Sequence, residues 1–260
     1  MKFMYTAILI AILTVSCKQN TTTPENTAPP VPAKEYPAAI AATFKAHGGI
    51  QKWNAMNNLC FTMEKEGGNE TQTIDLKSRK VRIETEKYTL GFDGEKVWLD
   101  QDSIYFAPQR ARFYHNLMFY FYAMPFVLGD DGITYTEEKA LEFNGVSYPG
   151  TRISFGANVG DAPDDEYIIY KDPKTNEMAW LAYTVTYGKN EKSDRFSYIK
   201  YDQWVDVNGL KLPSKLQWYK VEEGVPTEMR NERSFIKATS TATKLDNSIF
   251  AKPESGEFAE

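Results

Sequence analysis

Histidine and cysteine are scarce in this 260-residue chain, with two of each: His47 and His115, Cys17 and Cys60. A histidine-centred active site therefore has few candidates, and no HExxH, CxxC or GxSxG pattern occurs. No glycine-rich loop stands at a strand–helix junction to cradle phosphate. Positive charge is also short: 30 Lys and Arg against 35 Asp and Glu leave a net charge of −5. With no basic cluster or RNP-like aromatic motif, nucleic acid is not an expected partner. The stretch 156–165 holds Asp161, Asp164 and Asp165. It lacks the EF-hand spacing and the closing Glu, so it reads as a solvated loop, and neither metal nor cofactor is expected. Carboxylates are plentiful, but no pair stands out as the acid and base of a hydrolase. The expectation is a binding protein rather than an enzyme, with a paired-carboxylate hydrolase the less favoured alternative.

Aromatic residues, by contrast, are abundant: 14% of the chain, including 16 Tyr and 15 Phe. They concentrate at 113–128, FYHNLMFYFYAMPFVL, sixteen residues with seven aromatics and no formal charge. Pro108 suits a helix start and Pro125 its end. A helix there stacks Phe113, Leu117 and Phe121 in one row and Tyr114, Met118 and Tyr122 in the next. That face is too wide for an ordinary surface helix. Exposing all seven rings would forfeit roughly 10–20 kcal/mol. The segment is too short to span a membrane, which takes about 20 apolar residues. It needs cover, either as a core helix under a sheet or as the wall of an apolar cavity. His115 within it reads as a polar residue at a cavity rim.

At the N-terminus, Lys2 precedes the apolar run 7–15 (AILIAILTV), and Ser16 precedes Cys17. This is the layout of a signal peptide, residues 1–16. The small residue followed by Cys resembles the lipobox of bacterial lipoproteins. That resemblance implies that Cys17 is lipidated, becomes the new N-terminus and anchors the chain to a membrane. By the sorting rule it implies, Lys18 rather than Asp after the Cys points to the outer membrane. Cys60 is then unpaired and reads as an inert strand residue. Residues 18–35 carry four Pro, four Thr and no large hydrophobe, the composition of a disordered stalk. Extended at ~3.1 Å per residue, such a stalk reaches on the order of 50 Å.

From residue 36 the chain reads as one β domain ending near 253, with 254–260 a frayed tail. Residues 37–46 form an Ala-rich helix with Ile40 and Phe44 on one face, capped by Gly48 and Gly49. His47 sits in its last turn, where the helix dipole favours positive charge. A short helix, 50–56, carries Trp53. An antiparallel meander follows, with turns at Ser78–Arg79, Glu86–Lys87 and Asp93–Gly94 pairing Leu76 with Val81, Ile83 with Leu90 and Leu90 with Val97. One face collects Ile74, Leu76, Val81, Ile83, Tyr88, Leu90, Phe92, Val97 and Leu99; the other carries Arg82, Glu84, Glu86 and Trp98. Strands resume at 133–136, 146–155, 166–171, 178–187, 195–207, 210–221 and 227–238. The Asn208–Gly209 turn sets Val205, Val207, Leu210 and Leu212 on one side.

The segments AHGGIQKW (46–53), GFDGEKVWLD (91–100), YFYAMPF (120–126) and VNGLKLP (207–213) together resemble a family of uncharacterised outer-membrane lipoproteins. More distantly, the layout resembles the LolA/LolB group of lipoprotein carriers and receptors. The resemblance implies a mainly β fold: a curved antiparallel sheet forming an incomplete β-barrel, its concave face covered by an N-terminal helix and the inserted aromatic helix. It also implies a hydrophobic ligand, a lipid or acyl chain, and a place in the bacterial envelope facing periplasm or cell surface. The residues expected to line the cavity are Leu117, Phe121 and Tyr122, against Ile83, Leu90 and Val97. A filled barrel that binds a protein partner is the alternative.

Overall fold

The alternation between residues 58 and 100 folds as five antiparallel strands in a computed structural model that describes residues 34–156, 164–189 and 191–259. Cys17, the signal sequence, nearly all of the stalk and Asp161 lie outside the described residues. The strands are β1 (Asn58–Met63), β2 (Glu70–Asp75), β3 (Val81–Glu84), β4 (Thr89–Phe92) and β5 (Val97–Asp100). All nine residues assigned to the apolar face belong to one core or pack against it. Ile83 pairs with Leu90 as expected. Ile74 pairs with Val81, and Leu90 with Leu99, each two residues away from the expected register. The cause is local. Asp75 Oδ1 accepts the amides of Lys77 and Ser78, and Asp93 Oδ1 those of Glu95 and Lys96, which lengthens both turns. A slip of two preserves the period, so every side chain keeps its face.

The second half supplies β6 (Ile133–Phe143), β7 (Val146–Phe155), β8 (Glu166–Lys171), β9 (Met178–Tyr183), β10 (Ser197–Lys200), β11 (Trp204–Val207), β12 (Leu210–Pro213), β13 (Lys215–Glu222), β14 (Val225–Thr241) and β15 (Glu257–Phe258). Thirteen strands form one antiparallel sheet in the order β15-β5-β4-β3-β2-β1-β14-β13-β10-β9-β8-β7-β6, open at both edges. The architecture is mainly β with few helices. The long β14 joins the halves, pairing with β1 through its C-terminal part and with β13 through its N-terminal part. Apolar residues line both faces from β8 to β10: Ile169, Leu181 and Ile199 join the main core, while Tyr170, Trp180 and Tyr198 form a smaller one. Phe143 of the β6–β7 hairpin covers that outer cluster, its ring 4.7 Å from Trp180 and 5.7 Å from Tyr219.

Several expectations need correction. The 195–207 and 210–221 segments each break, and β11 and β12 form a separate hairpin outside the main sheet. Val207, Leu210 and Leu212 of the hairpin are buried, but Val205 is exposed. Trp98, expected on the solvated face, is fully buried. A 3-10 turn at Asn247–Phe250 crosses that face, and Phe250 O accepts the indole N–H at 3.0 Å. The tail, expected to fray, places Glu257 and Phe258 as the edge strand against Leu99 and Trp98.

Helices α1 (Ala38–Ala46) and α2 (Ile50–Ala55) lie against the core, burying Ile40, Phe44, Ile50 and Trp53. The aromatic segment is not the single helix expected. It begins as a 3-10 turn at Pro108–Arg110, continues as α3 (Ala111–Tyr114) and α4 (Leu117–Tyr122), and ends in a 3-10 turn at Phe126–Gly129. The break at 115–116 has a chemical cause. His115 Nδ1 binds Arg112 O at 2.5 Å, the carbonyl that a continuous helix would offer to the Asn116 amide.

Candidate functional site

Three of the four motif segments meet at one end of the core. His47, the C-cap of α1, is fully buried. Its Nδ1–H donates to Lys211 O and its Nε2 accepts the Met178 amide, each at 3.0 Å. Those two bonds fit only the neutral imidazole. Burial pulls its pKa down to about 4, so the positive charge expected of it at the helix end is absent at neutral pH. Gly48 has φ +104°, and a Cβ there would lie 2.1 Å from Gly209 O. The α1–α2 turn and the β11–β12 hairpin therefore touch through backbone. Trp53 stacks on Phe126 at 4.9 Å, tying in the aromatic segment. These motifs act in packing.

The six residues expected to line a cavity share one core. Ile83, Leu90 and Val97 are buried on the sheet, and Leu117 is half-buried. Phe121 lies 4.9 Å from the Tyr183 ring and 6.2 Å from Trp218. Tyr122 sits between Phe61 at 4.2 Å and Phe235 at 4.4 Å, its hydroxyl buried with no hydrogen-bond partner. Burial raises that hydroxyl's pKa, keeping it protonated.

Beside this core, a cleft of about 270 Å³ opens between the sheet and the α3–α4 break. Ile74, Val81 and Phe92 form its sheet wall; Phe119 and Tyr120 form its helix wall. None of the six expected residues lines it. Arg79, Arg112, His115 and Asn116 also line it. The Arg112 guanidinium lies 5.5 Å over the Phe92 ring and that of Arg79 5.1 Å over Phe119. Arg79 Nη2 pairs with Asp130 at 2.5 Å, whereas its Nη1 is buried with no hydrogen-bond partner. His115, expected at a cavity rim, lines the cleft but is buried there; neither the spacing nor the sequence neighbours of the two arginines mark them.

A buried polar cluster also escaped the sequence reading. Glu70 is fully buried, with Lys65 Nζ at 2.8 Å, Gln72 Nε2 at 2.8 Å and the Tyr114 hydroxyl at 2.9 Å. Burial, then Glu70, raises the pKa of both Tyr114 and Tyr88, so these phenols donate to the carboxylate rather than ionise. Extending the period of two back from Ile74 through Gln72 to Glu70 would have placed both side chains inside. No group of three or more His, Cys, Asp or Glu able to hold a metal occurs among the described residues. Among them, no helix is long and apolar enough to cross a membrane.

No curated protein matches the chain. Among solved structures, it is similar to the LolA superfamily protein NE2245 from Nitrosomonas europaea at 7% identity, covering 75% of this chain and 88% of that one, TM-score 0.46. It is similar also to a DUF1329 family protein from Desulfovibrio piger at 10% identity, covering 82% and 96%, TM-score 0.47. The model of one sequence family matches residues 44–225, from the last turns of α1 through to the start of β14, and the chain belongs to that family, DUF6503, a family of unknown function.

Proposed function

We propose that this is a membrane-anchored lipoprotein of the bacterial envelope that binds a lipid, acyl chain or other hydrophobic ligand. Lipidated Cys17 would hold it at the outer membrane, facing periplasm or cell surface, in lipid or lipoprotein traffic. Its work is binding rather than catalysis. The observation that carries this reading is the cleft between sheet and aromatic helices. Ile74, Val81 and Phe119 line it and belong to the same core as Leu117, Phe121, Tyr122, Ile83, Leu90 and Val97. An apolar chain entering the cleft would continue along that sheet face beneath α4. The unpaired Tyr122 hydroxyl supports the reading, since a buried hydroxyl without a partner costs about 1–3 kcal/mol that a ligand or water could offset.

A second reading has an observation in its favour. The rings packed around Phe121 and Tyr122 suit a filled module that binds a protein partner on its surface. The two separate in the full chain carrying Cys17→Ala, which removes the attached lipid. Under the ligand reading, the chain binds a fluorescent fatty-acid probe. Leu117→Trp, at a half-buried position, then weakens the probe while the urea midpoint barely moves. Absence of probe binding, with Leu117→Trp costing the ~1–3 kcal/mol typical of an overpacked core, would replace it with the filled-module reading.

A further inference from the structure

A pocket of about 740 Å³, sharing no residue with the cleft, lies where β10 and β13 part. Their ladder runs from Lys200 and Gln217 to Tyr198 and Tyr219 and stops there, although β13 continues to Glu222. Residues 194–197 form one side of the resulting fork, and 218–222 the other. Because the fork interrupts the sheet, side chains of both faces line it. Trp218 packs against the main core and Tyr219 against the smaller one. The indole is held in place: its Nε1–H donates to the Tyr183 hydroxyl at 3.2 Å, and the Phe121 ring stands 6.2 Å away. The turn between β13 and β14 is also tied down, since the Tyr198 hydroxyl donates to Gly224 O at 2.9 Å. Trp218 faces Asn231 and Tyr219 faces Met229, which leaves Arg230 as the extra residue of a bulge. Bulges re-aim side chains, and Arg230 joins the lining.

Charges of both signs meet in the fork. Arg195 and Arg230 line it together with Asp194 and Glu222, all four exposed. No salt bridge among the described residues involves any of these four. Lys220, the third cation of the lining, is paired with Glu228. A purely anionic ligand would meet two carboxylates, and a purely cationic one two guanidinium groups. A head with one charge of each sign suits both sets. Guanidinium groups take oxyanions through paired N–H donors. An ammonium gains from an indole face as well as from carboxylates. The volume lies within the roughly 300–1,000 Å³ usual for small-molecule pockets.

Resting on the lipid-binding reading above, we propose that the fork between β10 and β13 holds the zwitterionic head of a phospholipid. Its phosphodiester would lie at Arg195 and Arg230, and its ammonium at Asp194, Glu222 and the Trp218 ring. The step from Trp218 to Phe121 gives its acyl chains an apolar route toward the core.

Isothermal titration of the full chain carrying Cys17→Ala tests this with short-chain lipids kept below micelle formation. Dihexanoyl phosphatidylcholine, phosphatidylethanolamine and phosphatidylglycerol share tails and phosphodiester, but only the first two carry an ammonium. Glycerophosphocholine supplies a head without tails. We expect one or both zwitterionic lipids to bind ~10-fold or more tightly than phosphatidylglycerol, the scale of one charge-assisted hydrogen bond. Replacing both carboxylates, Asp194→Asn with Glu222→Gln, should remove that preference without weakening phosphatidylglycerol. Arg230→Gln should weaken all three lipids and leave the melting temperature unchanged, because the side chain is exposed. Equal binding of the three lipids would overturn the head site and leave the hydrophobe reading standing. Failure of all three while the fatty-acid probe still binds would do the same; failure of the probe as well would remove both. Glycerophosphocholine binding as tightly as dihexanoyl phosphatidylcholine would overturn the lipid as the source of the head. A preference that survives the carboxylate substitutions would place the ammonium elsewhere and overturn the assignment. Should thermal melting show that one variant fails to fold, the wild-type ranking and the other variant still decide.

Discussion

Both ring nitrogens of His47 are occupied, and by groups that only the neutral ring can satisfy. Burial is the main cause of its low pKa; the carbonyl of Lys211 and the carboxylate of Glu177 raise it and the Lys211 ammonium lowers it further, leaving it near 4. In the unfolded chain the ring titrates near 6.5, so between these values the unfolded state binds more protons. Stability is therefore full above about pH 6.5 and declines as the pH falls toward 4, by about 3 kcal/mol from this residue. Urea midpoints measured at several pH values should show that slope in the wild type. His47→Gln should lower the midpoint at pH 7 and flatten the slope between pH 6.5 and 4. The position of His47 at the helix end is legible from the Gly-Gly that follows it. Its charge state is not, because Met178 and Lys211 reach it from 131 and 164 residues away.

Among the elements, the strands β3 to β5 followed the period of two closely, and even the two-residue slips at Asp75 and Asp93 left each face unchanged. The outer face was harder to read. Gly91 lies opposite Trp98, and a Cβ at Gly91 would stand 2.2 Å from the indole. The ring fills the space that Gly91 leaves, beneath the turn that carries Phe250. Gly91→Ala should push the indole outward, costing the ~1–3 kcal/mol of an overpacked site, more if the bond to Phe250 O breaks. Comparing urea midpoints of the wild type and Gly91→Ala measures the cost, and an unchanged midpoint would contradict this account of the outer face. The aromatic segment shows the opposite limit. Its composition demanded burial and obtained it, but a single side-chain bond from His115 to the backbone divided the helix.

For the whole molecule, the proposed anchor and the fold belong to separate stretches. We expect Cys17→Ala to abolish incorporation of a fatty-acid analogue and to release the protein from membranes or stall its processing. Equal labelling of wild type and variant would contradict the proposed anchor. If lipid is attached at more than one chain, each buried CH₂ adding ~0.8 kcal/mol, the anchor is stable. The mainly β class, the open meander and the apolar face were legible from residues 58–100, because alternation is a local property that the backbone imposes on each strand alone. The need to cover 113–128 was legible for the same kind of reason, since seven rings cannot remain in water. What covers them, and where a cleft remains, was decided by tertiary structure. Phe121 and Tyr122 met rings from β1, β9, β13 and β14 and became core, while Phe119, also in that core, and Tyr120 of the same helix line the cleft. Arg79 and Arg112 lie 33 positions apart in the chain, and only the packing of the α3–α4 segment against the sheet brings them to one cleft. Period and composition state which side of an element must be dry. Which dry sides meet, and how completely they fill the space between them, depends on contacts across the whole chain.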